Sequence, residues 1–79
     1  MKNVIIYSTP TCVYCRMAKE FFKKNNISYT EYDVASDMAR RQEMVQKSEQ
    51  MGVPVIEIDS TIVIGFSEKK IAELLRVKA

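Results

Sequence analysis

The sequence predicts an α/β fold, a four-stranded mixed sheet flanked by three helices in the order β-α-β-α-β-β-α. Val4-Ile5-Ile6-Tyr7 is a continuous apolar, β-branched run, which marks a central strand covered on both faces. Apolar residues from Tyr14 to Phe22 then recur at helical spacing. Two further apolar runs, Val53–Asp59 and Ile62–Gly65, are separated only by a short polar turn and read as a hairpin.

Length and composition suit that fold. The chain has 79 residues, so a single domain over 1–79 is expected. A domain of this size buries a little over about 60% of its unfolded surface, enough for a modest core. Apolar residues make up 47% and charged residues 28%, a globular balance. The net charge of +2, with its lysines and arginines dispersed, argues against a nucleic-acid partner. No run approaches the roughly 20 apolar residues of a membrane span. Lys2 is followed by an apolar stretch too short for a secretory leader. No membrane association, a cytoplasmic location and a monomer are therefore expected.

Taken in order, the first strand is Val4–Tyr7, and Ser8–Thr11 forms a loop that Pro10 keeps from continuing as strand. In the first helix Tyr14, Met17, Ala18, Phe21 and Phe22 make one apolar stripe, and Asn25-Asn26 closes it. A second strand is predicted from about Tyr29 to Asp33. The first β-α-β unit should pair its strands in parallel. Ser36 or Asp37 can cap a second helix running to about Gln50, with Gly52 ending it. Its predicted buried set is Met38 and Val45, joined by Met44 and Met51, and the three methionines read as adaptable core filler rather than a ligand site. Strands three and four turn through Asp59-Ser60-Thr61, and the run Ile62–Ile64 predicts cover on both faces there too. Ser67 caps the last helix, with Phe66 and Ile71 placed as a hydrophobic staple and Leu74 and Leu75 extending the stripe.

The chemistry lies in the only two cysteines, Cys12 and Cys15. Cys12 falls at the start of the first helix, where unpaired N–H groups and the helix dipole favour a thiolate, the attacking form of sulfur. Cys15 falls one turn deeper, beside Ala18 and Phe22. A shielded thiol there can displace a substrate held as a mixed disulfide on Cys12. Arg16 either adds positive charge near Cys12 or is a plain surface residue. Tyr14 begins the apolar stripe, so packing is its first reading; stacking on a substrate keeps it among the candidate contacts. There is no histidine and no third cysteine, so a tetrahedral zinc site would need carboxylates or another chain. Two readings stand beside the dithiol enzyme: an iron–sulfur or metal carrier using the same cysteines, and a redox sensor. Val53-Pro54 is the second feature. The cysteine loop should face it, and a cis bond there would turn the Val53 backbone outward to pair with an extended substrate.

Thr9-Pro10-Thr11-Cys12-Val13-Tyr14-Cys15-Arg16 after a strand, Gly52-Val53-Pro54 before one and Ile64-Gly65-Phe66 before the final helix together resemble the glutaredoxin family. The resemblance spans essentially the whole chain. It implies a thioredoxin fold, a cis proline at Pro54, and reduction of protein disulfides or glutathione mixed disulfides. Cys12 matches the family's nucleophile and Cys15 its resolver. Three departures stand out. Val13 replaces the proline of C-P-Y-C. Ser8 stands where many members carry a lysine for a glutathione carboxylate. Gly65-Phe66-Ser67-Glu68 replaces a Gly-Gly and acidic pair. Gln50, the Val53 backbone, Ser67 and Glu68 are the implied glutathione contacts. The C-V-x-C motif and Gly-Phe turn are also similar to small redoxins that serve ribonucleotide reductase and draw on thioredoxin reductase. The resemblance thus implies disulfide-containing protein substrates, either glutathione or a thioredoxin reductase as electron donor, and no tightly bound cofactor.

Overall fold

The protein is seen in a computed structural model that describes residues 3–76; Lys2, weighed above in the leader reading, lies outside them. Its elements are β1 (Val4–Ser8), α1 (Val13–Lys24), β2 (Thr30–Asp33), α2 (Met38–Ser48), β3 (Val55–Ile58), β4 (Thr61–Ile64) and α3 (Glu68–Leu75). The element order is the predicted one.

The sheet runs β2-β1-β3-β4. β1 pairs in parallel with β2, from Ile5 opposite Thr30 to Ser8 opposite Asp33. β1 also pairs antiparallel with β3, and β3 antiparallel with β4. The long apolar run of β1 therefore belongs to an interior strand. Alternate side chains along it serve opposite faces. Val4 and Ile6 join Ala18, Phe21 and Phe22 of α1, Ile56, Ile58, Val63, and Ile71 and Ala72 of α3. Tyr7 turns the other way and meets Val34, Met44 and Val55 under α2. One face of the sheet carries α1 and α3, the other α2.

Several boundaries and burials differ from the sequence reading. Ser8 is not loop: it is the last residue of β1 and only 1% exposed. α1 is rotated from the predicted stripe. Cys15, Ala18, Phe21 and Phe22 are its buried residues, while Tyr14 and Met17 are 61% and 42% exposed. All six residues span a wide arc of the helix, and periodicity does not say which edge of an arc the sheet covers. On the Tyr14–Met17–Phe21 edge, Phe21 gains cover from Phe66, its ring 6.1 Å away, and the earlier two residues stay exposed.

α2 stops earlier than predicted. Glu49 takes the left-handed conformation at φ 59° and its N–H bonds Val45 O, so the cap is not Gly52. Met44 is fully buried and Val45 half-buried, but Met38 and Met51 are 60% and 64% exposed. Sequence spacing missed Ser48, which is buried with its hydroxyl donating to Met44 O at 2.7 Å and Gln50 O at 3.1 Å.

α2 is held to the sheet by polar contacts that no periodicity signals. The buried Tyr7 hydroxyl donates to Glu43. Lys47 donates to Tyr7 Oη at 3.3 Å and to Glu57 at 2.7 Å. The Arg40 guanidinium lies 4.0 Å over the Tyr32 ring. Burial, then the bond to Glu43, pushes the Tyr7 hydroxyl up to about 12.

β4 is an edge strand rather than one covered on both faces, and Ile64 is 58% exposed. The hairpin turns on Asp59 (φ 46°) and Ser60 (φ 76°), so Thr61 already belongs to β4. Left-handed pairs of this kind favour glycine at the second position. Ser60→Gly is expected to stabilise the fold by about 0.5–1 kcal/mol, because serine pays a backbone penalty at that φ. A urea midpoint at or below that of the parent would show the turn to be unstrained. At α3, Ser67 caps as predicted, its hydroxyl accepting from Lys70 N at 3.4 Å, and Phe66 packs against the cluster that contains Ile71.

Candidate active site

The site starts where β1 ends. Thr9–Thr11 carries the chain off the sheet, and Cys12 N bonds back to Thr9 O at 3.3 Å. That turn delivers Cys12 to the N-cap of α1, with extended backbone at φ −83° and ψ 115°. An N-cap side chain normally supplies an oxygen to the free N–H groups of the first turn. Here the supplier is sulfur: Cys12 Sγ accepts from Cys15 N at 3.1 Å. Negative charge on Cys12 Sγ is thereby met by a backbone donor and the positive end of the helix. Cys12 is half-buried, so a second sulfur can reach it.

Cys15 is fully buried, on the face of α1 that meets the sheet. Burial pushes its thiol up to about 12, and the hydrogen bond with Cys12 adds to the rise. The Thr9 backbone N–H and the Lys19 charge pull the other way. Neither cysteine is in a disulfide. The pair therefore combines an accessible sulfur at a helix start with a protonated one behind it.

The Val53–Pro54 peptide is cis. Pro54 is buried and precedes β3, and its carbonyl accepts from Gly65 N at 2.8 Å. Gly65 sits at φ 79°, a conformation suited to glycine. Val53 and Thr9 line a common hollow of about 310 Å³ with Val34, Ala35, Arg41, Met44 and Met51. The segment leading to the cysteines thus faces the Val53 side, as the sequence led us to expect. A larger groove of about 530 Å³ along α2, lined by Met38, Arg41, Gln42, Val45, Gln46 and Met51, shares Arg41 and Met51 with that hollow.

Other expected contacts are placed differently. Gln50 folds onto its own loop. Its amide oxygen accepts from Gly52 N at 2.6 Å, and its nitrogen donates to Gly52 O at 3.0 Å. The Ser67 hydroxyl is engaged as the α3 cap, and Glu68 is exposed in the first turn of α3. Tyr14, read first as packing, projects into solvent two residues after Cys12. Arg16 is exposed. Ser8 points inward and donates to Glu31 at 2.8 Å, so position 8 faces away from any ligand at the surface. Arg41, counted in the sequence only among the dispersed basic residues, is a lining residue that spacing did not single out. Only the fold separates it from Arg40: Arg40 stacks on Tyr32, while Arg41 lines both hollows. Among the described residues, no group of three or more histidine, cysteine, aspartate or glutamate side chains is arranged to hold a metal ion, and no helix is long and apolar enough to cross a membrane.

A sheet of this order with a C-x-x-C at the first helix start defines a thioredoxin-like protein. Two solved structures bear this out. A mutant of the thioredoxin-like protein BC3987 matches with a TM-score of 0.91 at 36% identity, covering 99% of this chain and 100% of that one. The glutaredoxin of Archaeoglobus fulgidus matches with a TM-score of 0.86 at 25% identity, covering 96% and 88%. The family model for glutaredoxin matches residues 4–63, and the chain belongs to the glutaredoxin family. An uncharacterized glutaredoxin-like 8.6 kDa protein of the rubredoxin operon in Clostridium pasteurianum is 49% identical over 70 residues, 89% of this chain and 93% of that protein. Glutaredoxin 3 of Escherichia coli K12 is 37% identical over 65 residues, 82% of this chain and 78% of that protein.

Proposed function

We propose that this protein is a dithiol oxidoreductase that reduces protein disulfides or glutathione mixed disulfides. The observation that carries the reading is the asymmetry of the two sulfurs: Cys12 Sγ capping α1 at 3.1 Å from Cys15 N, with Cys15 buried behind it. Cys12 Sγ attacks one sulfur of the substrate disulfide; the other sulfur leaves with the bonding electrons and takes a proton from solvent. Cys15 then attacks Cys12 Sγ, closing the Cys12–Cys15 disulfide and releasing the second substrate thiol. Two electrons have passed to the substrate, and an external thiol or a reductase restores the pair.

Glutathione fits the hollow beside the site in two respects. Arg41 supplies a cation for one of its carboxylates, a role position 8 does not take, and the Val53 backbone lies at the same hollow for peptide pairing. Gln50, Ser67 and Tyr14 take lesser parts in this reading, since the first two already serve their own loops. Glu68 remains a contact for the amino end of the ligand.

The electron donor is decided by reducing the oxidised protein with glutathione and its reductase, and separately with a thioredoxin reductase. Glutathione is expected to work, and Arg41→Ala to weaken it by about tenfold while sparing reduction by a small dithiol. Reduction by thioredoxin reductase alone would leave the dithiol chemistry standing and remove glutathione from it. No turnover of a glutathionylated or insulin-type substrate under either donor would reject the reading as a whole.

A further inference from the structure

Apart from the cysteines, one polar cluster lies where α1 closes over the end of the sheet. Ser8 is in phase with Val4 and Ile6, the residues of β1 that face α1, and is 1% exposed. Its hydroxyl donates to Glu31 Oε2 at 2.8 Å. Lys19 Nζ donates to the same oxygen, also at 2.8 Å. Lys19 follows Cys15 by four residues, so the two share one face of α1. Ser8 opens the turn that delivers Cys12, whose Sγ accepts from Cys15 N at 3.1 Å, so Ser8, Cys15 and Lys19 belong to one neighbourhood.

The arrangement is unusual for a surface ion pair. Exposed pairs contribute little to stability, and long lysines normally reach for water. Here the Lys19 side chain is only 26% exposed, and its head is tied to a carboxylate that is itself tied to a buried serine. The tether holds the Lys19 side chain in place one helical turn beyond Cys15, a sulfur that has no solvent of its own. Cys15 must stay protonated at rest and gain thiolate character in one step only, the attack on Cys12. A fixed cation helps that step most, because it needs no reorganisation when the charge appears. The Lys19 charge does act on Cys15 in the direction that favours thiolate.

We propose that Lys19, held by Glu31 and Ser8, is a positioning residue for the resolving step, its ammonium stabilising the charge that develops on Cys15 as it displaces substrate from Cys12. The inference rests on the dithiol reading above. In the step, a bond forms between Cys15 Sγ and Cys12 Sγ and the bond from Cys12 to the substrate sulfur breaks. The electron pair leaves on the substrate sulfur, which takes up the proton that Cys15 gives up. Substrate is reduced and the cysteine pair oxidised.

Single-turnover reaction of the reduced protein with a glutathionylated peptide tests this, with the mixed disulfide on Cys12 and the glutathione released from it both followed by mass after acid quenching. Lys19→Met is expected to form the mixed disulfide within about twofold of the parent rate but to release the thiol about tenfold more slowly, so that the mixed disulfide accumulates. Lys19→Arg keeps the charge and the pairing and is expected to restore release. A purely structural role predicts instead that both steps slow together. That result, parent-like release in Lys19→Met, or slow release in a folded Lys19→Arg would each overturn the proposal. Failure of the parent itself to form a mixed disulfide would overturn the dithiol reading, and this inference with it.

Discussion

Replacing Cys12 by serine is expected to lower disulfide reduction by at least about 1,000-fold, because a hydroxyl offers no thiolate to attack sulfur. Cys15→Ser is expected to behave differently. It leaves the attacking sulfur and the donated Cys15 N–H in place, since that contact is made by the backbone. The first step therefore proceeds, and the substrate stays covalently attached to Cys12. Mass spectrometry after mixing with a disulfide-bearing protein distinguishes the two variants: no adduct for Cys12→Ser, a stable one-to-one adduct for Cys15→Ser. Only a modest activity loss in Cys12→Ser, or adducts forming on Cys15, would reverse the assigned roles.

The second large effect is on stability. Phe22 is fully buried, its ring 6.2 Å from Phe21 and 5.2 Å from Tyr29. Phe22→Ala is expected to cost about 3–5 kcal/mol, from lost apolar transfer and the cavity left behind. A domain of this size holds only about 5–10 kcal/mol in total, so the variant should sit near its unfolding midpoint in mild urea. Met17→Ala, on the same helix but 42% exposed, is expected to change stability by less than about 0.5 kcal/mol. Equal costs at the two positions would contradict the orientation of α1. The comparison is informative because the spacing of the sequence ranks Met17 and Phe22 alike.

The effect proposed for Lys19 is expected in the partition between two chemical steps rather than in stability, since the pair it makes with Glu31 is partly exposed. A charge at that place is useful only because Cys15 is sealed from water, and the sealing comes from the same helix face that carries Phe22.

The sequence by itself determined the order of elements, the interior strand, the hairpin and the two sulfurs at a helix start. Each of these is a local matter. An unbroken β-branched run, a helical repeat, a short polar turn and a C-x-x-C each carry their signal within a dozen residues or fewer. The glutaredoxin motifs were legible for the same reason, being short and in fixed order.

The tertiary structure alone decided which edge of a broad apolar arc is covered. Tyr14 and Met17 look as apolar as Phe21, yet only Phe21 finds Phe66 across the gap. It decided that Ser8 faces Glu31 rather than a ligand, and that of two adjacent arginines Arg40 stacks on Tyr32 while Arg41 faces the hollows. It also brought Tyr7, Glu43, Lys47 and Glu57 into one network from three elements. Such pairings join residues up to 40 positions apart, as Tyr7 and Lys47 show. No local pattern encodes them, because a polar side chain is placed by whatever meets it across the fold. The two cysteines of the candidate site, one at a helix start and one a turn deeper, were therefore readable in advance, whereas the pairing of Lys19 with Glu31 and Ser8 was not.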